Sequence, residues 1–559
     1  MKRPGSISFP ILPALEAVLL SVSAIFLILH AFHLSADFPN HSPWMDWAKY
    51  TDEGWYGDGA IRHFQRGHWY VPGDFNPAAA LPVWPLLEAA LFRFTGVSLT
   101  AVRGLTVAIF GLILAASYLL LRRWQNLAAP ANQKPINTLA PAIAVLLLAV
   151  SPFCFVFTRM AILEPLLILL TLLALLAASY AEPVQGSEPT SFQTALRRSL
   201  PIVSLGLLLP LMVLSKTTAV FLLPAIGWIL WARAEYRARP FLRLVLPAAA
   251  LAAVTWIAYY AFIIRPHFLD DYHYLFSANA YTGITPATAL SVLGDTIADG
   301  LWIGNILYPL ALLAAFSAVL LHPRLLRNPL IPALLLWTGG YAAFLAYHNN
   351  LQPRYYLVLA VPLTLLIPVV FSTLWTRAQL HSEPLSPLRR LATAIIVAVL
   401  AILTITDASQ TLHYVRTPDY TFTSAAAEIR NIVSADHTHN PLILSISGSN
   451  LSLMTGLPSI CDDFGTMDLA VRVKAYHPGW YVAWNQVDDD KMDALAPIYH
   501  LQRIAAFPAM DDPERNLLIL YRLDPATPGT SPRRHRKPAI PRLLQTSFGQ
   551  QPSPIQLEH

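Results

Sequence analysis

Two adjacent carboxylates, Asp52 and Glu53, sit in the run Tyr50-Thr51-Asp52-Glu53-Gly54-Trp55-Tyr56, inside a polar, aromatic stretch between two long apolar segments. Arg62, His63, Arg66, His68 and Trp69 follow, then Asn76-Pro77 and the turn Pro82-Val83-Trp84-Pro85. A carboxylate within reach of a hydroxyl can take its proton. Further along, charged residues recur at the expected outer ends of apolar segments: Arg159 with Glu164, Lys216, Arg265, and Arg354 followed by Tyr355-Tyr356. Arg supplies forked donors and Lys a point charge, the pair of chemistries that holds a phosphate. A base for an acceptor hydroxyl and cations for a departing phosphate are what transfer of a sugar from a lipid phosphate requires. The same residues also fit a plainer reading, in which the acids are solvated and each cation snorkels to a membrane surface. Convergence of four cations on the face that carries Asp52 and Glu53 favours a shared site, because charge at membrane depth usually faces a cavity or a partner.

The elements that would position these residues follow from composition. The chain has 559 residues, of which 55% are hydrophobic and only 13% charged, with a mean hydropathy of +0.47. A soluble chain carries about 25% charged residues. Eleven apolar runs are expected to cross a bilayer as helices, at 12–34, 100–121, 138–157, 161–180, 200–215, 217–232, 242–264, 302–321, 330–347, 355–375 and 391–407. The third and fourth join through Thr158-Arg159-Met160, the fifth and sixth through Ser215-Lys216-Thr217-Thr218. Placing the N-terminus in the cytoplasm collects Lys2, Arg3, Arg122, Arg123, Arg197, Arg198, Arg389 and Arg390 on the inner side, as the positive-inside bias demands. The loop at residues 35–99 then lies outside, in a multi-pass protein of an inner or plasma membrane. Met1-Lys2-Arg3 leads into an apolar run without a small-residue cleavage site, so the first helix is expected to remain as an anchor.

Other classes recede. The net charge of +5 is dispersed among short loops, a topology signal rather than a nucleic-acid footprint. The two cysteines, Cys154 and Cys461, cannot form a disulfide framework. Residues 408–524 change character: helices are expected at 424–433, 451–456 and 491–499 and strands at 441–447, 480–484, 501–507 and 517–523, a small extracytoplasmic α/β domain. Within it, Asp462-Asp463 and Asp488-Asp489-Asp490 read as solvated acidic turns. Residues 525–559, rich in Pro, Ser and Gln with the cluster Arg533-Arg534-His535-Arg536-Lys537, read as a disordered tail.

In order along residues 12–410 the chain resembles the GT-C glycosyltransferases that use polyprenyl-phosphate sugars. The likeness is to the branch of protein O-mannosyltransferases and the lipid A aminoarabinose transferase. The residues that carry it are Asp52-Glu53, Tyr56, Gly67-His68-Trp69 and Pro82-Val83-Trp84-Pro85 in the first outer loop, and Arg103 opening the second span. Arg159 with an acid five residues on, the Ser215-Lys216 turn and the Arg354-Tyr355 pair complete it. The chain departs from that pattern with Glu164 where the family has Asp, with Ala79-Ala80-Leu81-Pro82 where the aminoarabinose branch has Lys-Pro-Pro, and with Asp270, Asp271 and His273 after span seven.

The resemblance implies a membrane all-α fold of about eleven transmembrane helices, residues 1–407, with the α/β domain attached. It implies Asp52 as catalytic base with Glu53 beside it in the acceptor site, and Arg159, Lys216 and Arg354 as contacts to the donor phosphate. Tyr56, Trp69, Glu164, Arg265 and Tyr355 would line the substrate. The partners implied are a polyprenyl-phosphate sugar lipid and a hydroxyl acceptor on a glycan, lipid or protein, with no nucleic acid. No obligatory nucleotide is expected, and the wider superfamily leaves room for a divalent cation near Asp52, Glu53 or Glu164. No His/Cys spacing marks a metal site. A transporter or lipid flippase, whose buried charges line a translocation path, and a non-catalytic polyprenyl-lipid binder are the competing readings.

Overall fold

The structure, a computed structural model, describes residues 11–39, 42–128, 138–183, 192–278, 285, 288–348, 351–380, 387–512 and 515–526. Among the described residues, eight helical segments are long and apolar enough to cross a membrane: Leu12–His30, Leu99–Leu127, Leu163–Tyr180, Arg197–Ser215, Ala238–His267, Leu330–His348, Pro353–Trp375 and Leu391–Ala435. Three shorter apolar helices, Ala140–Val150, Thr217–Arg233 and Leu307–Leu321, occupy the other expected positions. Ala140–Val150 is cut short by its own sequence. Pro152 forces Ser151 into an extended conformation, and the helix restarts as Pro152–Phe157 with the Ser151 hydroxyl accepting the Cys154 N–H at 3.2 Å. Leu163–Tyr180 is apolar on all sides and mostly buried, so it runs through the interior of the helical assembly. The apolar parts of Ala238–His267 and of helix Pro387–Arg416 are mostly uncovered by protein, as lipid-facing helices would be.

The loop at 35–99 contains helices of its own, which the apolar periodicity does not announce: Asp52–Trp55, Asp58–Arg66 and Val83–Thr95. Gly67, at φ +79, ends the second of these in the left-handed conformation that favours glycine. The loop also grips the C-terminal domain. The Asp37 carboxylate accepts the N–H groups of Phe422 (2.8 Å) and Thr423 (3.1 Å), donors left over at the start of helix Thr421–Ala435.

That domain holds a five-stranded sheet: β1 (Ile443–Leu444), β2 (Ser459–Ile460), β3 (Trp480–Trp484), β4 (Tyr499–Asp512) and β5 (Arg515–Pro525), in the order β2-β1-β3-β5-β4. β1 runs parallel to both β2 and β3, while β5 is antiparallel to β3 and β4. β2 and the helix Leu469–Tyr476 are absent from the sequence expectation. A two-residue strand is too short to display a period of two. The expected tail falls almost entirely at residues 527–559, outside the described residues.

Candidate active site

Asp52 opens the four-residue helix Asp52–Trp55 and is buried. Its Oδ2 faces Arg354 Nε at 3.0 Å as an ion pair that is not aligned as a hydrogen bond, and Oδ1 accepts the Thr51 hydroxyl at 3.0 Å. Burial is the strongest influence on Asp52 and pushes its carboxyl above the ordinary carboxylate range. Arg354 opposes that rise, while Asp46 and Glu164 add to it. A carboxylate with raised basicity is the better proton acceptor once ionised.

Arg354 starts the Pro353–Tyr356 turn at the head of a long buried helix and answers two carboxylates at once. Asp46 accepts both its backbone N–H (2.8 Å) and its Nη1 (2.5 Å), and also caps a short turn by accepting the Ala48 N–H at 2.8 Å. The Tyr355 ring then continues the chain of contacts, with Arg354 Cζ 4.6 Å and Lys216 Nζ 4.4 Å from its centroid. Lys216 pairs with Glu164, whose Oε2 is buried without a hydrogen bond at the first turn of its helix. Tyr56 caps the C-terminal end of the Asp52 helix; burial above all raises the pKa of its hydroxyl, and Asp52, Tyr355 and Glu164 add to the rise while Arg354 opposes it. Asp46, Asp52, Tyr56, Glu164, Lys216, Arg354 and Tyr355 therefore converge from four separated stretches of chain, 46–56, 164, 216 and 354–355.

An apolar cavity of about 350 Å³ lies next to the chain on either side of Lys216, although none of the clustered side chains lines it. Leu214 and Thr217, which flank Lys216, line it together with Val220, Trp256, Phe276 and Ala80. The position of Ala80 within the segment that departs from the aminoarabinose pattern puts that departure on the cavity wall.

Four expected site residues lie apart from this group. Both oxygens of Glu53 are engaged by Arg103 (2.7 and 2.6 Å), and Oε1 also accepts the Ala161 N–H at 3.0 Å. Arg103 in turn donates to the carbonyls of Leu34 and Ala36. Glu53 thus fastens the loop to the second span and to the turn before the fourth, a positioning role. Arg159 donates from Nη2 to the carbonyls of Phe32 (2.6 Å) and His33 (2.8 Å) and lies over the Phe155 ring at the end of the first span, while its buried Nε makes no hydrogen bond. Trp69 stacks on His63 at 5.0 Å and packs against Gly59. Arg265 is exposed. Among the described residues no group of three or more His, Cys, Asp or Glu is arranged to hold a metal ion. Asp52 and Glu164 each face a cation and Glu53 is bound to Arg103, so these acids do not form a ligand set for the divalent cation considered above.

Two further features escape sequence reasoning. Glu88, in helix Val83–Thr95, is fully buried against Gly57, and neither of its oxygens makes a hydrogen bond of good geometry. Burial drives its carboxyl well above the ordinary range, with Glu53 and Asp58 adding to the rise and the Trp84 indole opposing it. The second is a buried ladder of charge: Asp58 to Arg62 (2.8 Å), Arg62 to Asp74 (2.5 Å) and Asp74 to Arg472 (2.9 Å) of the C-terminal domain. Burial outweighs Arg62 at Asp58 and lifts its carboxyl to about 6. The alternation of charge suggests a ladder only once the fold has brought residues 58–74 against residue 472.

No protein-family model matches the sequence, and no curated protein matches it significantly. Solved structures do match. ArnT from Cupriavidus metallidurans bound to undecaprenyl phosphate superposes with a TM-score of 0.56 at 14% identity, covering 91% of this chain and 98% of that one. The archaeal oligosaccharyltransferase AglB from Archaeoglobus fulgidus, in complex with an inhibitory peptide and a dolichol-phosphate, gives 0.51 at 13% identity, covering 90% and 74%. Both are GT-C glycosyltransferases, and the likeness establishes the GT-C fold: an integral, multi-pass helical membrane assembly with a small C-terminal domain.

Proposed function

We propose that the chain is a membrane glycosyltransferase that moves a monosaccharide from a polyprenyl-phosphate donor to a hydroxyl on a glycan, lipid or protein. The reading places the reaction at the extracytoplasmic face, with the N-terminus cytoplasmic. The observation that carries it is the buried sequence of contacts Asp52–Arg354–Tyr355–Lys216–Glu164 beside an apolar cavity. A lipid phosphate needs an apolar wall for its chain and fixed cations for its head, and the two are adjacent here. The fold shared with ArnT, which was solved with undecaprenyl phosphate, supports the same reading.

In the proposed reaction the acceptor oxygen attacks the anomeric carbon from the face opposite the phosphate. The carbon–oxygen bond to the phosphate breaks, and the polyprenyl phosphate leaves with the bonding electrons. Asp52 takes the acceptor proton, and Arg354 and Lys216 neutralise the charge gathering on the phosphate. A single displacement inverts the anomeric configuration. Arg354 touches both the base and, by this account, the leaving group, so it holds the two ends of the reaction in register.

The test is transfer from a panel of radiolabelled polyprenyl-phosphate monosaccharides in membranes carrying wild type or Asp52→Asn. Transfer by wild type, reduced at least about 10²-fold in the variant, is the expected outcome. Undiminished transfer in Asp52→Asn would remove Asp52 from the role of base. No transfer by wild type with any donor, accompanied by lipid or solute movement, would favour a transporter.

A further inference from the structure

The helix that carries Asp52 is four residues long, Asp52–Trp55. A helix that short cannot persist on its own, because nucleation costs more than one turn of hydrogen bonds returns. It also leaves its first N–H groups without intrahelical acceptors, and a residue at the N-cap usually supplies one. Thr51 stands at that position and has the right side chain, yet it makes no cap bond. Its hydroxyl is directed instead to Asp52 Oδ1 at 3.0 Å and to the Trp47 carbonyl at 3.3 Å.

The missing acceptor comes from the other end of the chain. Asn450, fully buried in helix Gly448–Thr455 of the C-terminal domain, accepts the Gly54 N–H on its Oδ1 at 2.5 Å. Gly54 is the third residue of the Asp52 helix, and its N–H is one of the two that a cap side chain normally satisfies. The approach is close enough to require glycine: a Cβ at 54 would stand 2.2 Å from the Ser449 carbonyl carbon and 2.3 Å from the Asn450 nitrogen. Two neighbours fix the same register, the Trp55 indole donating to the Ile446 carbonyl (3.2 Å) and the Ser449 hydroxyl to Asp58 Oδ1 (2.9 Å).

We infer that Asn450 caps the Asp52 helix in trans, so that the C-terminal domain is a positioning element of the catalytic base. Only Oδ1 of the amide can accept, so the Gly54 N–H sets the orientation of the side chain. Asp52 is thereby held from two sides, by Arg354 from the helical assembly and by Asn450 from the domain above. The catalytic meaning rests on the proposed glycosyl transfer; the cap itself does not.

The experiment compares full-length wild type, Asn450→Ala and Asn450→Asp, the last keeping an acceptor at the same reach. Hydrogen exchange followed by mass spectrometry on a peptide covering residues 50–58 reads the cap directly. Asn450→Ala is expected to speed exchange there about 5-fold, the scale of a lost cap, with peptides of the sheet unchanged and Asn450→Asp close to wild type. In sugar transfer, Asn450→Ala is expected to lower kcat about 10-fold or more with the donor KM held within about 2-fold, and Asn450→Asp to recover most of it. If Asn450→Ala does not accumulate, Asn450→Gln, which keeps the amide but moves its oxygen one carbon further, takes its place with the same expectations. Unchanged exchange at 50–58, or an Asp variant as impaired as Ala with exchange raised throughout the domain, overturns the cap. Should wild type transfer no sugar, the glycosyltransferase reading fails while the exchange comparison still decides the cap.

Discussion

Replacing Arg354 by Gln separates the two functions assigned to it. Arg354 Nε lies 3.0 Å from Asp52 Oδ2. With charge centres roughly 4 Å apart and an effective dielectric of about 20, the attraction amounts to about 4 kcal/mol, or about 3 pKa units at 1.36 kcal/mol each. Measured effects of a neighbouring opposite charge run to about 1–3 units. Burial already raises the Asp52 carboxyl and Arg354 is the main opposing influence, so the variant raises it further. On the proposed reading Asp52 is the base, and it must be ionised to act. Activity is therefore present above the Asp52 pKa and lost as pH falls through it, and the variant moves that loss toward alkaline pH.

The assay is kcat/KM against pH, which reports the free enzyme, for wild type and Arg354→Gln, with thermal melting in parallel. The acid limb is expected to shift upward by about 1–3 units. Melting should fall by less than the roughly 3–5 kcal/mol typical of a broken buried pair. Asp52 can take up a proton, and Asp46 keeps the N–H groups of Ala48 and residue 354. A limb that stays in place while the rate drops uniformly would refute the reasoning and leave Arg354 acting on the phosphate alone.

Glu88 and Glu164 give independent expectations. Glu88 has its pKa raised well above the ordinary carboxylate value. The folded chain therefore keeps a proton that the unfolded chain releases, and the stability tied to it is full below the ordinary pKa and lost as pH rises from there toward the folded value. Glu88→Gln, neutral at every pH, should match wild type in acid and melt at or above it near pH 8, and a wild type that gains stability over that interval relative to the variant would contradict the protonated carboxyl. Glu164→Gln releases Lys216 from its partner, so equilibrium binding of polyprenyl phosphate should tighten about 3- to 10-fold, within about 1.4 kcal/mol, at some loss of thermal stability. Weaker binding in that variant would show that Glu164 orients Lys216 rather than competing for it.

Much of the fold was legible because membrane helices are written in long apolar runs: among the described residues eight of the expected spans coincide with helices long enough to cross a membrane, and the other three with shorter apolar helices. The irregular parts were not, because Ser151-Pro152 interrupts a run that hydropathy alone treats as continuous. At the site, Asp52, Tyr56, Glu164, Lys216, Arg354 and Tyr355 stand out as polar groups at the ends of apolar segments, and the structure gathers them. Arg159 has the same signature and a different place, since an Arg at an outer turn serves equally to bind a phosphate or to satisfy helix-end carbonyls. Glu53 illustrates the limit within a single dipeptide: two neighbouring acids on a helix point in different directions, one to the cluster and one to Arg103. Asp46 and Asn450 carry no local mark. Each earns its place through a partner about 300 or more positions away, a distance at which pattern says nothing and tertiary packing everything.

The charges at the site also explain how it can exist before any substrate arrives. Three ionisable carboxylates and two cations buried in the cluster, with the Glu53–Arg103 pair next to Asp52 in sequence, would be costly if left uncompensated. They are arranged so that none stands alone: Arg103 with Glu53, Arg354 between Asp46 and Asp52, Lys216 with Glu164. A donor phosphate entering this arrangement brings charge that the two inner cations must share with carboxylates they already hold. Arg354 can do so because its planar fork still presents donors beyond those committed to Asp46. Lys216 must turn from Glu164, and its chain neighbours Leu214 and Thr217 line the apolar cavity. On the proposed reading, binding is an exchange of partners at Lys216 and an addition at Arg354. Asp52, which shares Arg354 with the phosphate, then loses part of its stabilising charge and becomes more basic as the donor binds. The base would be strongest when the substrate is in place, so the acid limb of kcat should lie above that of kcat/KM in wild type, and coincident limbs would count against a shared Arg354.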